Sequence, residues 1–415
     1  MRLFILSSIV SVLLTQTACV SQTVKSTSVP PLAYPTTLVS NDEVLDVGVA
    51  VFDPGLVRAD GTAVGDEDSQ VFPEVRRAEA MFMAHELSKT LQEVGAWGAV
   101  RVVPDGQQFT DLLVSATIVQ SDGEQLALAV QVIDAQGVRW LDKRYQGTTS
   151  RYAYDSRNAA RQDPLLLVYR TIANDMLAIF ESLPSEDRLA IRHVAELRFA
   201  RAFATDAFAD YLNQDDKGVY RIQRLPANND PMLERVRNLR QRNYVFVDTL
   251  QGHYQTFSGD MYIPYQEWRK LNYEEVVALR ELQSEANARL IAGAASVVAG
   301  IAAQGSNNAY TRTAGAVGIA GGGYLLKSGL EKRAESSIHS LALEELGQSL
   351  EAEVTPRVIE LEDRTVRLSG NVQDQYAQWR ELMADIYAAE IGALDLPSEA
   401  ADADRMPTQT TRGVQ

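Results

Sequence analysis

The chain has 415 residues, a formal net charge of −16 and a single cysteine. That acidity excludes a bulk polyanion seeker: neither a nucleic-acid backbone nor an anionic lipid surface attracts such a chain. One cysteine excludes internal disulfides, so core burial must hold the fold, and the length suits two or three domains.

Residues 1–18, MRLFILSSIVSVLLTQTA, form the first predicted element. Arg2 precedes an apolar run from Leu3 to Leu14, and the small residues Thr17 and Ala18 precede Cys19. Charge, apolar stretch and small-residue junction together predict a secretory signal peptide. The run is about a dozen residues, short of the ~20 that a membrane-crossing helix needs. A buried N-terminal helix and an uncleaved anchor are the alternatives. Residues 19–42, rich in Ser, Thr and Pro, predict a flexible tether.

Residues 43–150 predict a small α/β domain. VLDVGVAVF (44–52) is an apolar, β-branched run stopped by Asp53-Pro54-Gly55, as a buried strand should be. The glycine-dotted insert 55–71 predicts a loop. In 73–95, Val75, Ala78, Met81, Phe82, Leu87, Leu91 and Val94 recur near helical spacing, between Pro73 and Gly95. Strands follow at 99–104, 111–120, 125–134 and 138–147, with glycine closing the turns Ser121-Asp122-Gly123 and Ala135-Gln136-Gly137. Strand, helix, strand and meander predict a helix packed on a sheet.

Residues 160–289 predict a helical domain, with helices over 163–183 and 186–212 and a third stretch over 230–290. Gly252, Gly259 and Pro264 are expected to interrupt that third stretch. It is dense in aromatics: Tyr244, Phe246, Tyr254, Phe257, Tyr262, Tyr265, Trp268 and Tyr273. They read either as a partner-binding surface or as helix-bundle core, and their i, i+3 and i, i+4 spacing favours core.

Residues 290–330 predict a Gly/Ala-rich helical hairpin. Arms 290–303 and 314–326 flank a polar loop, with Gly293, Gly300, Gly315, Gly318 and Gly322 as helix-packing candidates. Small residues at such spacing let backbones approach closely. Each arm is about 14 residues, short of a full membrane crossing. A membrane-inserting or oligomerising hairpin and a buried soluble one both remain open. Residues 337–392 read helix, strand, strand, helix, and 397–415 read as a disordered tail. The expected fold class is therefore multidomain α+β and α/β: a small N-terminal α/β domain, a central helical region with its hairpin, and a C-terminal α-β-β-α module.

Catalytic patterns are missing. His85-Glu86 opens like H-E-x-x-H, but Lys89 stands at the second ligand position. GGGYLLKS (321–328) lacks the glycine before lysine that a phosphate loop needs, and no G-x-S-x-G elbow occurs. No catalytic residue, cofactor site or metal site is assigned from the sequence.

Three stretches carry family resemblances. The run ending Thr17-Ala18-Cys19 resembles a bacterial lipobox, departing from it at Gln16, where leucine is usual. The resemblance implies that the Cys19 sulfur takes a diacylglycerol and becomes the mature N-terminus. Val20 after it implies transfer to the outer membrane, with the inner membrane as the alternative. Acyl chains add about 0.8 kcal/mol of membrane binding per buried CH2. VGVAVFDPG, DLLVSATIV and VQVIDAQGVRWLDKRYQG resemble the small α/β domain of CsgG-type curli secretion lipoproteins, TolB N-terminal domains and the lipoprotein activators of peptidoglycan synthases. That resemblance implies an envelope location and protein–protein work. VIELEDRTVRLSGNV is similar to the strand–turn–strand of a BON domain, although IGALDLPSEA offers no closing strand.

The expected function is a lipid-anchored envelope scaffold or accessory protein, facing the periplasm from the outer membrane. Its expected partners are the membrane through the N-terminal lipid, envelope proteins and a second copy of the chain, without nucleic acid. A periplasmic activator of a peptidoglycan enzyme and an unrecognised hydrolase are the alternatives.

Overall fold

The computed structural model describes residues 29–37, 39–57, 61, 71–104, 110–154, 163, 165–227, 229–302, 357–360 and 365–395. Over 279–302 and 391–395 it describes the helical backbone alone. The signal peptide, Cys19, the second hairpin arm with Gly315, Gly318 and Gly322, the expected helix 337–354 and the tail lie outside the described residues.

The centre is a five-stranded sheet in the order β2-β1-β3-β4-β5. β1 (Val47–Ala50) is flanked by β2 (Val100–Val103) and β3 (Leu112–Ser121), both parallel to it. β4 (Gln125–Asp134) and β5 (Arg139–Thr148) continue antiparallel as hairpins. The parallel β1–β2 pair needs a crossover, and helix α1 (Pro73–Val94) supplies it. α1 starts with Pro73 in its first turn and stops at Gly95, whose φ of 72° lets its N–H reach the Gln92 carbonyl. All seven apolar positions read from the sequence are buried, and so are Ala80, Met83 and Ala84. α1 is wrapped nearly all round because it has the sheet on one side and two further helices on the others.

The first of those is α2 (Leu166–Ser182), followed by α3 (Ser185–Phe203) and the single turn α4 (Thr205–Phe208). The helix expected over 186–212 therefore ends early. Ala204 leaves helical geometry at φ −128°, ψ 58°, and the chain forms a hairpin of β6 (Leu212–Gln214) and β7 (Tyr220–Ile222). The Asp215 carboxylate accepts the N–H groups of Lys217 and Val219, both at 2.9 Å, and so shapes that turn. The Tyr220 N–H donates to the Gln136 carbonyl at 2.7 Å, joining the hairpin to the β4–β5 turn.

The expected flexible tether does not extend across 30–36. These residues run along α2. Asn174 donates to the Pro31 carbonyl at 3.0 Å and accepts the Ala33 N–H at 2.8 Å, and Glu181 accepts the Thr36 N–H at 2.7 Å.

The last long element is α5 (Pro231–Ala302), 72 residues without a break. Asp230 caps its start, accepting the N–H groups of Met232 at 2.8 Å and Leu233 at 3.3 Å. The interruptions expected at Gly252, Gly259 and Pro264 do not occur. An internal proline costs a helix about 3 kcal/mol. Burying large apolar side chains returns roughly 1.5–3 kcal/mol each, and Met261, Tyr265 and Trp268 beside Pro264 are all buried. Phe246, Tyr254 and Phe257 are buried too, so most of the aromatic series is core.

β8 (Arg357–Glu360) and β9 (Thr365–Leu368) form an antiparallel pair, and α6 (Val372–Asp395) follows. Asn371 and Asp374 cap α6 reciprocally at 2.9 and 3.2 Å. α6 lies on α5: Trp379 stacks on Phe246 with ring centroids 4.9 Å apart. The described residues thus make a mixed α/β protein with one five-stranded sheet, two small hairpins and six α-helices. Among them no helix is long and apolar enough to cross a membrane.

Candidate functional site

The most elaborate chemistry lies where α5 crosses α1, the edge strand β2 and the β3–β4 turn. The outer edge of β2 presents unpaired backbone groups. The Gln251 carboxamide satisfies both of them at Val102, accepting its N–H and donating to its carbonyl, each at 2.9 Å. Beside it, Arg101 holds Asp248 with two hydrogen bonds of 2.5 and 3.1 Å, and its guanidinium lies 4.8 Å from the Tyr244 ring centre.

Further along, Gly123 at the β3–β4 turn has φ 80°. A Cβ there would fall 2.3 Å from the Arg269 carbonyl oxygen and 2.8 Å from the Tyr273 nitrogen. Only glycine lets the turn touch the backbone of α5. The Tyr154 hydroxyl donates to the Gly123 carbonyl and closes this contact.

Beneath it lie two buried ionic groups. The Glu79 carboxylate accepts from Tyr265 Oη at 2.7 Å and Ser121 Oγ at 2.6 Å, with Arg76 Nε at 3.5 Å. Arg269 pairs with Asp163 through contacts of 2.6 and 3.3 Å, and its guanidinium lies 4.3 Å from the Tyr265 ring centre. Burial raises the pKa of Glu79, against the pull of Arg76 and its hydrogen bonds. Arg269 stays firmly protonated: Asp163 and the neighbouring tyrosines outweigh desolvation.

A groove of about 780 Å³ opens from this floor between α1, α2 and α5. His85, Glu86 and Lys89 line it from α1, Arg170 from α2, and Gln255 and Tyr262 from α5, with Asp163 at its base. Burial raises Glu86, while burial and then Lys89 lower His85, so both lean toward their neutral forms. The cleft offers donors and acceptors of both signs to a polar group. Among the described residues, no cluster of three or more His, Cys, Asp or Glu is placed to hold a metal ion.

The helix-packing candidates Gly293 and Gly300 lie near the end of α5, seven residues apart and so on one face. Cys19, Gly315, Gly318 and Gly322 lie outside the described residues. Sequence reasoning missed the Glu79 and Arg269 network. One signal was present: Arg269 sits at i+4 from Tyr265 and beside Trp268, on a stripe that is otherwise core.

Burial also raises Asp111 and Asp134. A carboxyl raised on folding contributes most stability below the ordinary carboxylate range, and that contribution is lost as pH rises through its folded value. Glu79→Gln is therefore expected to flatten the fall in urea midpoint as pH rises above the ordinary carboxylate range. An unchanged slope would assign the dependence to the other carboxyls.

Comparison of the chain with protein-family models, curated proteins and solved structures found no match in any of the three.

Proposed function

We propose that this chain is a lipid-anchored accessory protein that mediates protein–protein assembly at the outer membrane, facing the periplasm. Signal peptidase removes residues 1–18, and acylated Cys19 holds the body to the membrane. In this reading the chain comprises a CsgG/TolB-like α/β domain over 43–150, a helical domain over 160–289, a Gly/Ala-rich hairpin over 290–330 and a BON-like module over 337–392. Envelope proteins and further copies of the chain are its partners.

The observation that carries the reading is the length of α5. Its 72 residues correspond to about 108 Å at 1.5 Å per residue. A folded body of some 250 residues is only about 45 Å across. The helix outreaches the body it packs on, and its far end carries the first Gly/Ala arm with Gly293 and Gly300. An anchored body with a long small-residue arm suits reaching a partner and packing on it.

The test is carried out in cells fed a labelled fatty acid. The wild-type chain should take up label and fractionate with the outer membrane, and Cys19→Ala should do neither. Deleting 290–326 should leave fractionation intact and shrink the cross-linked assembly. Unchanged labelling in Cys19→Ala, or an unchanged assembly after the deletion, overturns the corresponding half of the proposal.

A further inference from the structure

We propose that the outward face of α5 between Gln241 and Lys270 is a self-complementary surface on which two copies of the chain pair antiparallel, about a two-fold axis level with Tyr254. This contact requires neither the lipid on Cys19 nor residues 290–326.

Two large apolar side chains of α5 stand in solvent: Val245 is 55% exposed and Ile263 71%. They are eighteen residues apart, five full turns at 3.6 residues per turn, so they lie on one line. That line runs opposite the face made by Val247, Leu250, Tyr254, Met261, Tyr265 and Trp268, all of which are buried. Between the two apolar ends the outward surface is low: Thr249, Gly252, Thr256 and Gly259 are exposed. A Cβ on either glycine would meet nothing within 4 Å. Glycine is costly in a helix interior, and no close approach within one copy requires it here.

The occupant is identified by symmetry and charge. A second α5 laid antiparallel about Tyr254 brings Val245 onto the partner's Ile263 and Gly252 onto the partner's Thr256. The axis repeats each contact. On one flank Arg242 comes beside the partner's Glu267, opposite in charge, and again in reverse. Arg242 reaches Glu390 at 3.4 Å and keeps 51% of its side chain exposed, so it can serve both. The acidic residues do not collide. Asp248 and Asp260 project from opposite flanks of the line, so Asp248 lies by the partner's Gly259 and Asp260 by the partner's Thr249. Each body packs mainly on the face of its α5 made by Val247, Leu250, Tyr254, Met261, Tyr265 and Trp268, turned away from the partner, while Arg101 at Asp248, α6 at Arg242 and the groove at Gly259 border the flanks of the contact. The segment spans thirty residues, about 45 Å of helix. A small central line with apolar ends lets two such helices approach closely.

The test uses the full chain in mild detergent. Light scattering should give the mass of at least two copies for the wild type, and Val245→Glu with Ile263→Glu should halve it. Gly252→Ala with Gly259→Ala should weaken pairing at least tenfold, because each added methyl enters the contact. Because Cys19 is the only native cysteine, Val245→Cys with Ile263→Cys should form a disulfide-linked dimer under mild oxidation. Val245→Cys alone should not. A one-copy wild type, a dimer indifferent to the glutamates, a glycine pair that raises the melting temperature without affecting mass, or self-linking of Val245→Cys alone each overturns the proposal. All four variants keep Cys19 and residues 290–326, so loss of pairing is read separately from loss of anchoring or of hairpin assembly.

Discussion

Arg269→Met is expected to destabilise the protein by about 3–5 kcal/mol, the usual cost of removing one partner from a buried ion pair. Arg269 and Asp163 have 1% and 6% of their side-chain surface exposed. Without the guanidinium, Asp163 keeps the Leu165 N–H at 2.7 Å and the Gln266 amide at 3.2 Å, but no buried counter-charge. The Tyr265 ring also loses the cation on its face. Chemical denaturation followed by circular dichroism measures the loss. The informative control is Arg269→Met combined with Asp163→Leu. Replacing both charges by apolar groups is often neutral or stabilising, because desolvating two ions offsets most of their attraction. The double variant should therefore recover most of the stability. If the single variant matches wild type, the pair does not hold α5 to the body.

Gly123→Ala should cost roughly 2–4 kcal/mol, combining a strained left-handed residue with overpacking. The two contributions can be separated. Gly137 has φ 89° at the β4–β5 turn, and a Cβ there would meet the Gly218 carbonyl oxygen at 3.1 Å, a milder approach. Gly137→Ala thus reports mainly the conformational strain, and the excess at Gly123 reports the contact with α5. Hydrogen exchange of amides near Tyr273 provides the local readout. Faster exchange there in Gly123→Ala, but not in Gly137→Ala, is the expected pattern. Equal exchange in the two variants would mean that the turn does not pin the helix.

The sheet and α1 were legible in the sequence because their signals are local. β-branched runs, glycine-closed turns and a Pro73-to-Gly95 helix frame each specify geometry within a few residues. What the sequence concealed depended on residues far away. α5 reads as interrupted because Gly252, Gly259 and Pro264 weaken a helix locally, whereas the aromatics that hold it together act through neighbours distant along the chain. The three-residue strands β6 and β7 are too short to show a period. Glu79 and Arg269 carry charges, and charge reads as surface until a partner is known. Of the candidate site residues, Gly293 and Gly300 fall on one helix, while the Gln251 clasp on β2 has no sequence signature.

That clasp bears on how the chain folds. Gln251 meets Val102 across 149 positions, and Tyr265 meets Glu79 across 186. Contacts of such sequence separation carry a large loop-closure entropy and belong to slow, high-contact-order folding. A nascent chain has the whole sheet in hand well before it has the side chains that seal the edge of β2. Until α5 arrives, that edge is a template for pairing with another chain. Folding of the N-terminal third is thus a waiting state, completed only by residues that emerge long after it. A fragment ending before residue 231 should remain in that state.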